Sequence, residues 1–242
     1  MADALFEVPR LARIYDTIDG LRDDLDHYEA IVEELGANTV LDVGCGTGTF
    51  ACRLARSGRS VVALDPASAS LDVARHKPNG GDVSWIHGDV AALRDCMVDV
   101  ATMTGNVAQV FVDDDEWQRA LRAIRSALRP GGHLVFEARD PSARAWERWT
   151  REATLATYDT ETEGRVEHWI ELHEVTLPLV SFRQHFRFDS DGAFLTSDST
   201  LRFRSRAAIE RDLAVCGYRV EDVRDAPDRP GKEHVFIART TA

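Results

Sequence analysis

The sequence predicts an open α/β fold, with a mostly parallel sheet flanked by helices and an antiparallel β insertion. Three observations predict it. Strand and helix patterns alternate from about residue 19 to residue 150. The strand segments in this part are short apolar runs, typical of a sheet covered on both faces, and strands that alternate with helices pair in parallel. After residue 150 the pattern changes to consecutive strands joined by short turns.

The alternating part begins with a helix in which apolar residues recur at threes and fours from Leu21 to Leu35, ending at Gly36. Ala12 to Asp16 stand ahead of this helix. Strands are predicted at residues 39–43, 60–64, 83–87, 98–103 and 133–138, with helices between them.

The helix predicted over residues 113–128 has the clearest apolar stripe of the chain. Asp113, Asp114 or Asp115 can cap its first N–H groups. Three consecutive aspartates also suggest a metal site, but capping explains them better, and no metal is expected. Pro130-Gly131-Gly132 is expected to stop the helix.

Residues 151–203 are predicted to form an inserted antiparallel β subdomain that covers the substrate, and residues 1–150 and 204–242 to form the core. Strands are expected at 166–177, 182–188 and 194–203. The middle strand alternates apolar and polar side chains, as a half-buried strand does; they are Phe182, Phe186 and Phe188 against Arg183, His185 and Arg187. A helix capped by Ser205 and strands near 218–223 and 234–239 then return to the main sheet.

Composition excludes several classes of protein. With 44% hydrophobic and 29% charged residues the chain is an ordinary globular protein. The net charge of −12 and arginines interleaved with acids disfavour a nucleic-acid partner. No apolar run approaches the roughly 18 residues of a membrane span, and the start lacks a signal-peptide pattern. The four cysteines are scattered, as free thiols of a cytoplasmic protein are.

A glycine-rich turn follows the first strand, in the segment V-L-D-V-G-C-G-T-G over residues 40–48. Glycines there remove the Cβ atoms that would block a ligand, and ligands of open α/β sheets bind beyond the carboxyl ends of the strands. Thr49 stands where the dinucleotide motif G-x-G-x-x-G has its third glycine. Asp42 also suits a cationic ligand better than a pyrophosphate. A nicotinamide-dependent oxidoreductase is therefore the disfavoured alternative.

This segment resembles the first motif of the class I S-adenosylmethionine (SAM)-dependent methyltransferases. Asp65, Gly88-Asp89-Val90 and the turn from Leu128 to Leu134 continue the resemblance in the family's order and spacing. The resemblance implies a seven-stranded Rossmann-like sheet, SAM as cofactor and S-adenosylhomocysteine as product. It also implies a set of cofactor-binding residues: Tyr15, Asp42, Gly44, Cys45, Gly46, Thr47, Gly48, Asp65, Pro66, Gly88, Asp89, Val90 and Thr104.

The acceptor is expected to be a small molecule methylated on N or O. Met103 to Ala108, after the fourth strand, lack the Asp/Asn-Pro-Pro-aromatic signature of enzymes that methylate bases or glutamine. Asn106, Glu137 and Arg139 are the substrate-binding candidates, although residues 137–141 read equally well as a salt-bridged turn. A non-catalytic SAM-fold binding protein is the second alternative. A monomer or homodimer is expected.

The N-terminal segment and the insertion are similar to small-molecule N-methyltransferases of the amino-sugar and glycine type. That similarity implies that Tyr15 lies over the cofactor; the alternative is a hydrophobic staple before a helix. In-line methyl transfer mostly requires alignment of the reactants, so a neutral amine can react without a general base. The catalytic candidates are Tyr15, Glu137 and His185. His168, His173 and His185 are each a structural histidine unless one points at the cleft.

Overall fold

The computed structural model describes residues 2–93 and 96–241. Its strands are β1 (Thr39–Val43), β2 (Ser60–Asp65), β3 (Val83–His87), β4 (Val98–Met103), β5 (Leu128–Arg139), β6 (Ala156–Thr160), β7 (Gly164–Thr176), β8 (Leu179–Phe188), β9 (Phe194–Arg202), β10 (Tyr218–Asp225) and β11 (Glu233–Thr240). Its helices are α1 (Ala4–Glu7), α2 (Pro9–Asp19), α3 (Asp24–Glu34), α4 (Thr49–Arg56), α5 (Ser68–His76), α6 (Val107–Val110), α7 (Asp114–Ala127), α8 (Arg151–Thr154) and α9 (Arg206–Val215).

The main sheet has seven strands in the order β10-β11-β5-β4-β1-β2-β3. Strands β1 to β5 run parallel, and β11 pairs antiparallel with both β5 and β10. The predicted fold class is therefore confirmed. Because β1 lies between β2 and β4, the loops at their carboxyl ends meet at one edge, where such sheets bind ligands.

Both faces of this sheet are buried under helices. On one face, Trp117 and Ile124 of α7 and Ile209 of α9 pack against Phe136 of β5. On the other face, Tyr28 and Val32 of α3 and Phe50 of α4 pack against the same strands, including Val135 of β5. The apolar runs read from the sequence are thus strands covered on both sides.

Three local predictions were wrong. Helix α3 begins at Asp24, and Leu21 is 90% exposed in the connection that precedes it. Helix α7 ends at Ala127, and Leu128 already belongs to β5, with an extended backbone two residues before Pro130. Tyr15 lies inside α2, because Pro9 starts that helix with a preset backbone angle.

The insertion forms a second sheet of four antiparallel strands in the order β6-β7-β8-β9. Strand β6 was not predicted, because its polar sequence Ala-Thr-Tyr-Asp-Thr lacks an apolar alternation. One face of this sheet, carrying Val166, Phe186 and Phe188, packs against Leu11 and Ile14 of α2. The N-terminal helices therefore lie between the insertion and the main sheet. Within the described part of the chain, no helix has the length and apolarity to span a membrane.

Candidate functional site

The turn after β1 is shaped by three glycines with left-handed backbone angles. The φ angles of Gly44, Gly46 and Gly48 are 71°, 53° and 76°. A Cβ on Gly48 would stand 2.5 Å from the Trp85 ring, so this glycine permits close packing of the turn. A Cβ on Gly46 would meet nothing within 4 Å. Gly46 therefore presents bare backbone on an open face, as a loop that cradles a ligand does.

Asp65, at the end of β2, faces this turn. Its carboxylate accepts hydrogen bonds from the backbone N–H groups of Gly46 and Ala67, both at 2.8 Å. The second bond is the local turn expected of Asp65 with the exposed Pro66. Asp65 is 7% exposed, and burial raises its pKa. A carboxylate offers more lone pairs than these two bonds use, so Asp65 can accept further donors.

Asp42 lies beneath the turn. It is 1% exposed, and its Oδ1 accepts a hydrogen bond from the Thr102 hydroxyl at 3.0 Å. No described group bonds to its Oδ2, and burial raises the pKa of Asp42 to about 7. A buried acceptor without a partner costs about 1–3 kcal/mol, so this oxygen is a place where a bound cation would compensate a deficit.

The segment after β3 joins the same edge. The N–H of Gly88 donates to the Asp65 carbonyl at 3.0 Å, and Asp89 caps a short 3-10 turn by accepting from the Ala91 N–H at 2.9 Å. Asp89 is exposed and Val90 is half-buried. The structure thus brings the predicted residues of β1, β2 and β3 together.

Two other predicted residues of the turn have packing roles. The N–H groups of Gly44 and Cys45 donate to the Leu64 carbonyl at 2.8 and 3.1 Å. Burial raises the pKa of the Cys45 thiol well above its ordinary value. Cys45 is therefore a small space-filling residue and not a thiolate.

Helix α2 is fastened to the turn by a polar network. The Thr47 hydroxyl donates to Asp16 Oδ1 at 2.6 Å. The Lys77 ammonium lies 2.6 Å from Asp16 Oδ2 and 2.7 Å from the Thr49 hydroxyl. Thr47 is buried in this network and does not face the open side of Gly46. We call Asp16, Thr47, Thr49 and Lys77 the α2 latch.

Tyr15, next to Asp16 in the chain, packs in the cluster between α2 and the inserted sheet. Its hydroxyl lies near the Asp19 carboxylate one turn later, and its ring lies 5.4 Å from the ring of Phe6. Burial raises the pKa of Tyr15. The phenol is therefore protonated and held by its neighbours, which makes it a positioning group and not a base.

The ends of β4 and β5 form the other half of the edge. Thr104 follows β4 directly and is half-buried. The Asn106 N–H donates to Glu137 Oε1, and the Tyr28 hydroxyl approaches the same carboxylate. Glu137 is 1% exposed, and no described group bonds to its Oε2. Burial, followed by the charge of Glu233, raises the pKa of Glu137 to about 7.

Arg139 stands beside Asn106 at this half of the edge. Its Nη1 donates to Gln109 Oε1 at 3.2 Å. With the Asn106 amide oriented to satisfy both of its ends, the amide oxygen accepts from Arg139 Nη2 at 3.3 Å and the nitrogen donates to Gln109. The Trp149 ring lies 5.8 Å from the guanidinium. All three substrate-binding candidates are therefore in one group.

His185 is not part of this group. It lies on the outer face of the inserted sheet, stacked on Trp169 at 4.9 Å and 3.1 Å from Glu171. The opposite face carries Phe186 against α2, because side chains alternate along a strand. His173 is exposed. His168 is on the inner face, but its Nε2 bonds to Gln184 Oε1 at 3.0 Å.

The acidic start of α7 has a structural explanation. Asp113 caps the helix by accepting from the Glu116 N–H at 2.9 Å. Asp114 pairs with Arg202 at 2.6 Å and with Arg204 at 3.1 Å. The capping interpretation of this segment is confirmed.

Part of the chain matches a known protein family. Residues 40–132 match the family model described as a methyltransferase domain. This part of the chain is therefore similar to a methyltransferase domain. The chain is 37% identical over 125 residues to the cypemycin N-terminal methyltransferase of a Streptomyces species, covering 51% of this chain and 50% of that protein. The chain thus spans about half the length of this curated relative.

Two solved structures share the fold over nearly the whole chain. The CcbJ methyltransferase from Streptomyces caelestis superposes with a TM-score of 0.79 at 22% identity, covering 98% of this chain and 97% of that one. A sugar N-methyltransferase from a Streptoalloteichus species gives a TM-score of 0.76 at 21% identity, covering 100% and 96%. The seven-stranded sheet, including its terminal strands, and the inserted sheet therefore recur together as one fold.

Several residues at this edge of the sheet were missed from the sequence. They are Asp16, Asp19, Arg22, Tyr28, Lys77, Gln109, Trp149 and Arg229. Most of them act through contacts across long sequence separations, such as Asp16 with Lys77. Gln109 alone had a local signal, since it lies three residues after Asn106 on α6.

Proposed function

We propose that the protein transfers a methyl group from SAM to a nitrogen atom of a small-molecule amine. The observation that carries the proposal is the open backbone of Gly46, with the Asp65 carboxylate 2.8 Å from its N–H. This pair leaves room for a ligand against the turn and a hydrogen-bond acceptor for its hydroxyl groups.

The residues present fit SAM at this place. Gly46 supplies a face without a side chain, and Asp65 and Asp89 supply acceptors at the ends of β2 and β3. The unpartnered Oδ2 of Asp42 is a hydrogen-bond acceptor below the turn, which suits a cationic ligand better than a pyrophosphate. When bound, SAM supplies a methyl group activated by a positively charged sulfur. This chain's own contribution is alignment, which can supply about 7–11 kcal/mol in a well-oriented reaction.

Two observations favour nitrogen over oxygen as the acceptor atom. The Glu137 carboxylate at the ends of β4 and β5 has an Oε2 without a described partner and a pKa raised to about 7, so it attracts an amine in its ammonium form and takes its proton, which leaves the neutral amine to attack the methyl group. Two of the proteins compared above are named for N-terminal and sugar N-methylation. The inserted residues 151–203 cover the acceptor half of the edge and act as the substrate lid.

The free thiols of the four cysteines support a cytoplasmic location.

Calorimetry with SAM, S-adenosylhomocysteine and NAD(H) tests the cofactor. We expect SAM to bind and NAD(H) not to bind. Asp65→Ala should lower SAM affinity about tenfold or more, since a hydrogen bond to a charged group contributes about 1.5–3 kcal/mol. Asp72→Ala, which removes an exposed carboxylate paired with Arg75, is the matched control. Undiminished affinity in the Asp65 variant would refute the assigned cradle.

A methyl-acceptor screen tests the reaction. Mass spectrometry of products from matched amines and alcohols should show methylated amines only. Methylation of the alcohols would instead make the protein an O-methyltransferase. SAM affinity without turnover on any acceptor would favour the non-catalytic binding protein.

A further inference from the structure

Three arginines stand near the acceptor half of the edge, and they differ in their partners. Arg22 forms a two-pronged ion pair with Asp24, with both contacts at 2.8 Å. Arg229 pairs with Glu233 at 2.9 Å. Arg139 has no carboxylate within 4 Å among residues 2–93 and 96–241. A half-buried guanidinium is thus left without a counter-ion.

The polar neighbours of Arg139 are neutral. They are the side-chain oxygens of Gln109 and Asn106, with the Trp149 ring on another side. Burial lowers the pKa of Arg139, and the charge of Glu233, which forms no ion pair with it, only partly opposes this shift. Such a group is costly unless it is paired.

The nearest acids do not form ion pairs with Arg139. Glu233 lies opposite Arg139 in the β5–β11 register, yet its carboxylate pairs with Arg229. Glu137 accepts from the Asn106 N–H and points to the α3 side. These carboxylates act on Arg139 only over longer distances. The free part of the guanidinium includes Nε, for which no described residue is an acceptor.

We propose that Arg139 binds an oxyanion carried by the methyl acceptor, so that the substrate is an amine with a carboxylate or phosphate group. This inference rests on the proposed function, since it names the acceptor of the same site. The planar guanidinium matches two oxygens of one anion, and the Gln109 and Asn106 amides fix its orientation. The unpartnered Oε2 of Glu137 favours the amine end of the same molecule, and Arg139 holds its anionic end.

Saturation-transfer NMR with small anions tests this directly. The probes are acetate and methyl phosphate, with acetamide as the neutral isostere, each added to the protein in the presence of S-adenosylhomocysteine. We expect acetate or methyl phosphate, but not acetamide, to receive saturation in the wild type. The signal should disappear in Arg139→Gln and persist in Arg183→Gln, a control on the outer face of the inserted sheet. Equal signals in the two variants would overturn the proposal.

The stronger of the two anion signals identifies the group, carboxylate or phosphate. The acceptor screen then supplies a second readout with amines offered as the free acid and as the primary amide. We expect the acid to be favoured about tenfold or more in kcat/KM, mainly through KM, and Arg139→Gln to abolish this preference. Arg139→Lys should restore part of it. A preference that survives in Arg139→Gln contradicts the assignment.

The two proposals can fail separately. Loss of SAM binding in calorimetry would remove the proposed function, whatever anions bind. Intact SAM binding and turnover, with no anion signal that depends on Arg139, would remove only this inference.

Discussion

The two halves of the edge are built in different ways. The cofactor half, at the ends of β1, β2 and β3, consists largely of backbone: glycines with left-handed angles, N–H groups and one carboxylate that binds them. The acceptor half, at the ends of β4 and β5, consists of side chains from α2, α3, α6, β5 and the insertion. A turn built from backbone requires glycines at a fixed spacing, and this spacing can be recognised in the sequence. A cluster of side chains from distant segments leaves no such pattern.

The largest expected effect comes from adding a side-chain atom to the tightly packed glycine turn of the cofactor half. Gly48→Ala places a Cβ 2.5 Å from Trp85 at a φ of 76°. Left-handed strain and overpacking together should lower the free energy of unfolding by about 2–5 kcal/mol. Chemical denaturation measures this, with Gly81→Ala as the control because a Cβ there meets nothing within 4 Å. Equal stability of the two variants would show that the turn is not tightly packed.

The acceptor half predicts a pH dependence of stability. Glu137 has a pKa raised from 4.5 to about 7, so the folded protein holds this proton more tightly than the unfolded chain does. Stability therefore falls as pH rises from about 4.5 to 7, by about 3 kcal/mol for such a shift. Glu137→Gln should flatten this slope.

The slope should not vanish in that variant, because the pKa of Asp42 is also raised to about 7 and acts in the same window. Denaturation at a series of pH values measures the effect, and Glu161→Gln, at an exposed position, is the control. A slope unchanged by Glu137→Gln would mean that this carboxyl titrates as in water.

The smallest effect is expected at the α2 latch. Asp16→Asn removes the charge that pairs with Lys77, but the Asp16 side chain is 40% exposed. The loss of stability should stay below about 1 kcal/mol. Hydrogen exchange should nevertheless quicken in α2, because its tie to Thr47 weakens. Asp23→Asn, at an exposed position just after α2, should leave the exchange of α2 unchanged.

The sequence predicted the parts of the fold that depend on local patterns. Strands β1, β3 and β4 match their predicted bounds, and the Asp113 cap was expected at the start of α7. The glycine turn and Asp65 were recognised because their geometry requires particular residue types at short spacing. These features belong to the cofactor half.

The rest could not be read from one sequence. Strand β6 is held by pairing with β7 and not by an apolar pattern of its own. His185 was a candidate until the register of β8 turned it to the outer face. Among the described residues, Arg139 lacks an ion-pair partner because the nearby Glu233 pairs with Arg229 instead. That pairing exists only in the folded chain.

Helix α2 touches both halves through opposite sides. Asp16 ties it to the cofactor turn, while Leu11 and Ile14 pack on the inserted sheet and Arg10 pairs with Glu163 there. Helix α2 therefore contacts both the cofactor turn and the inserted sheet. By thermodynamic linkage, any factor by which a ligand at the cofactor turn changes the affinity for a ligand beneath the inserted sheet equals the factor in the reverse direction, so the eleven residues of α2 couple the two binding equilibria symmetrically.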